Sequence, residues 1–224
     1  MKVALVTGAS RGLGRALAAG LVREGYTLIT DARDEAALLA AAKHDGVVRP
    51  VPGDITDPAH RAALAAEVAE LGGLDLLVNN AGTLGAHPLP ALADYPPDEL
   101  RIAFEVNVIG PVAITQLLLP ALRQQGGAVL NITSDAAVEP YTGWGGYGAA
   151  KAALEQASSV LAAEETVVRV WWVDPGDLRT DMHQQAFPGE DISDRPLPGT
   201  VVPGFVRLVT ERLPSGRYRA ADLL

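Results

Sequence analysis

The sequence predicts one doubly wound α/β domain, a mostly parallel sheet with helices on both faces. Three observations predict it. Short apolar runs alternate with helical stretches along most of the 224 residues, the pattern of βα units feeding one sheet. The first run leads through a glycine-rich turn straight into a helix. The length suits a single domain with a large core, and no repeat, low-complexity tract or linker divides it.

Residues 3–6, Val-Ala-Leu-Val, suit a strand buried on both faces. Thr7-Gly8-Ala9-Ser10-Arg11-Gly12-Leu13-Gly14 follows, and residues 15–24 read as helix. Glycines here let the backbone turn tightly and approach a pyrophosphate, which the N–H groups and positive dipole end of the helix would hold. The spacing is Gly-x-x-x-Gly-x-Gly, not the general Gly-x-Gly-x-x-Gly. Residues 26–30 read as a second strand ending in Asp31-Ala32-Arg33-Asp34, where such a fold meets an adenosine ribose. A carboxylate there can bind a free 2′-hydroxyl and a basic residue a 2′-phosphate, and both signs are present.

Residues 35–43 read as helix and 47–51 as a third strand. Gly53-Asp54-Ile55-Thr56-Asp57 closes it, and Pro58 opens the next helix where proline is favoured. Asp54 is either a turn aspartate or an acceptor for an adenine amino group. Residues 74–78 read as a fourth strand, with Asn79-Asn80-Ala81-Gly82 at the end where open α/β sheets bind ligands. These asparagines brace the sheet or meet a cofactor. Residues 83–97 are a Pro-rich loop, and residues 98–122 read as one long helix carrying Asn107 in an apolar run.

Residues 128–132 read as a fifth strand with Ser134 just after it, residues 147–165 as a helix, and residues 167–173 as a sixth strand packing Trp171 and Trp172. The stretch 181–203 is rich in Pro, Gly and Asp and suits a mobile loop over a site, a lid spanning 177–203. Residues 201–213 read as a last helix interrupted near its start by Pro203, and residues 217–224 leave room for a short strand.

Tyr147 and Lys151, four apart on a helix, share a face. An ammonium beside a phenol favours the phenolate, so Lys151 is expected to lower the Tyr147 pKa from about 10 and suit it to proton transfer. Ser134, across a loop, can aim its hydroxyl at the same point.

The net charge of −9 argues against non-specific nucleic-acid binding. The absence of cysteine excludes disulfides, thiol nucleophiles and thiolate metal sites, and His44, His60, His87 and His183 lack ligand spacing and read as surface or loop residues. Residues 3–6 are too short for a signal segment, and no stretch approaches the length of a membrane span, so a soluble cytoplasmic protein without a metal is expected.

Taken in order, these motifs resemble those of the short-chain dehydrogenases/reductases. The resemblance runs over residues 3–180 and rests on Thr7-Gly8-x-x-x-Gly12-x-Gly14, Asp54, Asn79-Asn80-Ala81-Gly82, Asn107, Ser134, Tyr147-x-x-x-Lys151 and Pro175-Gly176. It implies a Rossmann-type fold and an NAD(P)-dependent oxidoreductase interconverting a carbonyl and a secondary alcohol. Tyr147 would be the acid/base on the substrate oxygen, and Ser134 would hydrogen-bond that oxygen. Lys151 would bind nicotinamide-ribose hydroxyls, and Asn107 would hold a water linking Lys151 to solvent. Ser10, Arg11 and Leu13 would line the phosphates and adenosine side, with Gly8, Gly12 and Gly14 allowing the approach. Asp54 and Ile55 would meet the adenine, Asn80, Ala81 and Gly82 the ribose, and Leu178 and Thr180 the nicotinamide amide beside Pro175 and Gly176.

The family's discriminating acid falls on Ala32, with Asp31 one residue early and Arg33 one late. With Arg11 in the turn, NADP(H) is expected over NAD(H), and carbonyl reduction as the direction. Thr83, Leu84, Ala136, Trp144, Met182 and Phe187 are candidates to face the substrate, and their mostly apolar character suggests a hydrophobic carbonyl compound. The resemblance also implies a homodimer or homotetramer built on the long helices around Asn107 and Lys151. A non-catalytic dinucleotide-binding sensor is the competing reading, disfavoured by the presence of Tyr147, Lys151, Ser134 and Asn107; dehydration or isomerisation on the same scaffold stays open. Four departures stand out: a short chain, a trimmed link at 162–166, Asp174 where the family has a small or amide residue, and no glycine-rich ending.

Overall fold

The structure is a computed structural model that describes residues 1–43 and 48–224. The expectations for His44 and for Val47 as the start of the third strand lie outside the described residues. Strand β1 (Lys2–Val6) feeds α1 (Gly12–Arg23), and β2 (Tyr26–Ala32) feeds α2 (Glu35–Ala42). Then come β3 (Val48–Pro52), α3 (Pro58–Glu70), β4 (Leu76–Asn79), α4 (Pro97–Phe104), α5 (Gly110–Gln125) and β5 (Ala128–Ile132). The chain closes with α6 (Gly145–Glu164), β6 (Arg169–Asp174), α7 (Asp181–Ala186), α8 (Val202–Thr210) and β7 (Gly216–Arg219). The strands form one sheet in the order β3-β2-β1-β4-β5-β6-β7, each neighbouring pair parallel.

Side chains along β1 alternate between two cores, as a period of two requires. Ala4 and Val6 pack with Leu13, Leu17 and Leu21 of α1 and Phe205 and Leu208 of α8. Val3 and Leu5 pack on the other face with Leu64 and Val68 of α3 and Ile114, Leu118 and Leu122 of α5. All seven residues of β2 are buried, which is why these strands read as continuous apolar runs. Asp34 caps α2 through the Ala37 N–H, Asp57 caps α3 through the Ala59 N–H, and Gly126 ends α5 in the left-handed conformation. The chain order reverses between β1 and β4, so the C-terminal ends of these strands open into a crevice.

Several expectations change. The helix read over 98–122 is two α-helices joined by a π turn at Glu105–Ile109 that carries Asn107, and it runs on to Gln125. Pro97–Gln125 is also a 29-residue helical run with an 18-residue window of mean hydropathy 1.7, long and apolar enough by composition to cross a membrane, contrary to the sequence reading. Its inner side chains Ala103, Ile114, Leu118 and Leu122 pack inside the fold, as a core helix requires. Trp171 is buried, its indole N–H donating to the Leu213 and Pro214 carbonyls, whereas Trp172 is only half-buried. Pro203 does not interrupt α8; it lies in the first turn, where no helical N–H partner is lost. The stretch 181–203 holds α7, capped by Thr180. Strand β7 does form and extends the sheet beyond β6.

Candidate active site

Two close approaches shape the turn after β1. Gly8 has φ +65° and its α-carbon faces Ala81, where an added Cβ would stand 2.9 Å from the Ala81 Cα. A Cβ on Gly14 would collide with the Asn80 side chain and the Gly8 carbonyl. The turn is tied down by polar groups from two strands. The Asn80 amide donates to the Thr7 and Gly8 carbonyls at 2.8 and 3.1 Å, and the Thr7 hydroxyl accepts the Asn80 and Ala81 N–H groups, each at 3.0 Å. Asn79 braces the sheet instead, donating to Asn131 and Thr115. No side chain caps the first turn of α1, so its N–H groups face outward as a site for an anion.

Beneath the turn lies Asp31, 1% exposed. Its carboxylate accepts the Gly8 N–H at 2.8 Å and meets His60 Nε2 at 3.1 Å. The sequence read His60 as a surface or loop residue; it lies on α3, buried against Gly53, and no local pattern announced its partner 29 residues away. Arg33, by contrast, is exposed at the rim. Arg11 is exposed too and pairs with Asp181 of α7 at 3.0 Å across the cleft mouth. Asp54 accepts the Thr56 N–H and hydroxyl on one oxygen, as a turn aspartate does, and lines the cavity; burial raises its carboxyl, but these hydrogen bonds outweigh it and keep it below the usual range.

A cavity of about 930 Å³ runs from this rim to Tyr147, near the upper end of the roughly 300–1,000 Å³ of small-molecule sites. Gly8, Ser10, Arg11, Gly12, Leu13 and Gly14 line it from the turn, and Arg33, Asp54, Ile55, Asn80, Ala81 and Gly82 from the neighbouring strand ends. Ser134, Tyr147, Lys151, Pro175, Gly176 and Leu178 line it too, and Thr180 lines it over the turn, its side chain facing Gly12. The six candidate substrate-facing residues line it as well, and Leu84, Ala136 and Tyr147 form a small apolar cluster flanked by Trp144 and Met182. Asp135, Asp174, Asp177 and Tyr141 add a polar edge that the sequence reading did not include. An elongated groove, an uncapped helix N-terminus and a glycine turn without room for side chains together fit a dinucleotide.

Asn107 does not line the cavity. It is fully buried in the π turn, a distortion common near functional sites. Its amide donates to the Thr83 and Ala103 carbonyls and its oxygen accepts the Thr83 N–H, fixing the chain after Gly82. A Cβ on Gly82 would stand 2.9 Å from Asn107 Oδ1 and 3.8 Å from Lys151 Nζ, so Asn107 acts behind that glycine.

Lys151 is 3% exposed; its ammonium donates to the Ile132 carbonyl at 2.8 Å and lies 5.6 Å from the centre of the Tyr147 ring. Burial lowers its pKa to about 8. The expectation that Lys151 lowers the Tyr147 pKa does not hold here. Burial pushes the Tyr147 phenol well up, Asp174 and Asp135 push it further, and only the Ser134 hydroxyl opposes them. The physical reason is that removing both groups from water disfavours both ions, and the nearby carboxylates add negative potential. Ser134 Oγ donates to Asp135 Oδ1 at 3.0 Å and accepts the Ala136 N–H at 3.2 Å.

In this geometry Tyr147 stands at the apolar end of the groove, with Ser134 beside it and Lys151 between it and the β5 backbone. A nicotinamide cofactor, when bound, supplies or accepts the hydride. A phenol and a hydroxyl so placed can give or take a proton on a substrate oxygen and stabilise charge developing there. Ammonium protons of Lys151 not engaged by Ile132 are available to ribose hydroxyls.

The short chain dehydrogenase family profile matches residues 2–191. A sepiapterin reductase from Meriones unguiculatus is 38% identical over 201 residues, covering 82% of this chain and 77% of the relative. A serine 3-dehydrogenase from Agrobacterium fabrum is 39% identical over 184 residues, covering 79% and 72%. A short chain dehydrogenase from Escherichia coli CFT073 solved with NADPH superposes with a TM-score of 0.91 at 30% identity, over 98% of this chain and 96% of that one. These relatives are oxidoreductases, which sets aside the sensor reading. With its glycine turn, its Ser134-Tyr147-Lys151 set and these relatives, the chain belongs to the short-chain dehydrogenase/reductase family and is an NAD(P)-dependent oxidoreductase.

Proposed function

We propose that this oxidoreductase reduces a ketone or aldehyde with NADPH in preference to NADH. The observation that carries the cofactor preference is the placement of Asp31. The carboxylate that could have held a 2′-hydroxyl is buried and engaged by Gly8 and His60, while Arg33 and Arg11 stand exposed at the same rim. Solved relatives bound to NADP and NADPH support the same choice. A protonated Tyr147 suits the acid that reduction needs, because burial and Asp174 favour the phenol over the phenolate. The apolar cluster of Leu84, Ala136, Trp144 and Met182 suits a hydrophobic group next to the carbonyl.

The test follows nicotinamide absorbance with NADPH and then NADH against sepiapterin, benzil and a series of aliphatic and aromatic ketones, beside Tyr147→Phe. NADPH-dependent turnover that disappears in Tyr147→Phe is expected. Equal rates with both cofactors, or undiminished turnover in the variant, would contradict the proposal.

The exposed apolar residues Ile102, Ile109 and Leu117 of the α4–α5 run, with Val160 of α6, suit a second copy of this chain as their cover. Multi-angle light scattering is expected to show a dimer or tetramer, and a monomer at working concentration would remove this part. A cytoplasmic location belongs to the same reading. The lid reading attaches to the segment whose Asp177, Leu178, Thr180, Met182 and Phe187 line the cleft.

A further inference from the structure

The buried pair beneath the glycine turn joins two walls of the cleft. Side chains alternate along β2: Leu28 and Ala32 pack with α1 and α8, and Ile29 packs with α3 and α5. Asp31, one residue before Ala32, therefore faces α3. Asp57 caps that helix and Pro58 opens it, which sets His60 in its first turn, opposite Asp31. His60 Nε2 meets Asp31 Oδ2 at 3.1 Å, and because a carboxylate only accepts, Nε2 carries the hydrogen. Asp31 Oδ1 accepts the Gly8 N–H at 2.8 Å, and the Asp31 carbonyl accepts the Ala9 N–H at 2.9 Å. On the far side of the ring, a Cβ on Gly53 would stand 2.2 Å from His60 Nδ1 and 2.5 Å from its Cγ, so the imidazole rests on bare backbone after β3. Contacts thus run from Gly8 through Asp31 and His60 to Gly53. Gly8, Asp31 and Gly53 line the cleft, and His60 stands behind them.

We propose that His60 is a positioning residue that sets the choice of cofactor through Asp31, by engaging the carboxylate oxygen that a free 2′-hydroxyl would otherwise use. The inference rests on the NADPH reading above and deepens it by naming the residue that withholds the acid. With His60 in place both oxygens of Asp31 are engaged within the protein, one by Gly8 and one by the imidazole. Without the imidazole, Oδ2 is a buried acceptor with no donor, a costly state until a hydrogen arrives. The ribose of NADH brings a 2′-hydroxyl that can donate to it. The 2′-phosphate of NADPH brings charge of the same sign, which the carboxylate repels. Loss of His60 therefore favours NADH and disfavours NADPH, and it does so only while the Asp31 carboxylate is present.

The experiment is a fluorescence titration with NADPH, NADH and 2′-deoxy-NADH on wild type, His60→Leu, His60→Gln, Asp31→Ala and the His60→Leu/Asp31→Ala double variant, each checked for folding by circular dichroism. His60→Ala, which admits water beside the carboxylate, replaces His60→Leu should that protein not fold. The preference for NADPH over NADH is expected to fall about tenfold in His60→Leu, the worth of one hydrogen bond to a charged group. His60→Gln, which keeps a donor, is expected to retain the wild-type preference. In His60→Leu, NADH is expected to bind more tightly than 2′-deoxy-NADH by a wider margin than in wild type. In the Asp31→Ala background His60→Leu is expected to leave the preference unchanged. A general loosening of the fold would weaken all three nucleotides alike; that result, or the same shift in preference with Asp31 absent, overturns the inference. A wild type that binds NADH as tightly as NADPH would remove the cofactor reading instead, a quantity separate from the change that His60→Leu produces.

Discussion

Asp31 and Asp174 are the same residue type at the same kind of place, the C-terminal end of a parallel strand facing the cleft, and both are buried. Their surroundings differ. Asp31 is satisfied on both oxygens by the Gly8 N–H and His60, and it builds the turn on which a pyrophosphate would sit. Asp174 has one short backbone partner and an arginine at 4.0 Å, and its carboxyl is pushed up by burial. A fully partnered buried charge fixes a shape, whereas a partly balanced one sets the potential of its neighbours. The β2 end of the sheet thus fixes the shape of the glycine turn, and the β6 end leaves a partly balanced carboxylate on the cleft wall.

The largest expected effect tests the β6 end. Tyr147→Phe should lose roughly 10²–10⁴-fold in carbonyl turnover while NADPH affinity changes little, since only the acid/base proton is removed. Stopped-flow reduction and fluorescence titration read the two sides. Equal losses in both would mean that Tyr147 builds the cleft rather than working in it.

The β2 end should fail differently. Asp31→Ala leaves the Gly8 N–H and His60 without their shared partner and should cost about 3 kcal/mol in urea unfolding, with NADPH affinity falling as the turn loosens. Unchanged stability would erase the contrast with Asp174.

Lys151 sharpens the contrast from another side. Its pKa falls from 10.5 to about 8 on burial, so between those values the unfolded chain binds more protons than the folded one. The folded state therefore gains stability as pH rises from about 8 toward 10.5, by about 3 kcal/mol in all for this one group, with Tyr147 opposing above its ordinary value. Lys151→Met should flatten that rise and add about 2 kcal/mol at neutral pH, while turnover is lost. A variant less stable than the parent at pH 7 would contradict this.

The smallest expected effect lies at the rim. Arg33→Ala should weaken NADPH about tenfold and leave NADH nearly unchanged, because an exposed guanidinium adds one charge-assisted contact to a 2′-phosphate. Calorimetry with both cofactors measures it.

The alternation of strands and helices, the glycine turn and the Tyr147/Lys151 spacing were legible in the sequence because each is a local pattern with a fixed period. Ser134 was legible as the residue just beyond β5. The π turn at Asn107 was not, since a helix with one extra residue keeps nearly the same apolar pattern as an ordinary one. His60 under Asp31 and Arg217 beside Asp174 were hidden for another reason: each pair forms only when distant strands align, and spacing carries no trace of it. The expected lowering of the Tyr147 pKa gives way to a rise because the helix spacing reveals the ammonium but not the burial that opposes it.

The most direct test of the account is a fluorescence titration of wild type and Tyr147→Phe with NADPH and NADH, followed by ketone reduction on both proteins. The account predicts that both proteins bind NADPH more tightly than NADH and that only the wild type turns over. Absence of NADPH binding, or turnover retained without the tyrosine hydroxyl, would contradict it.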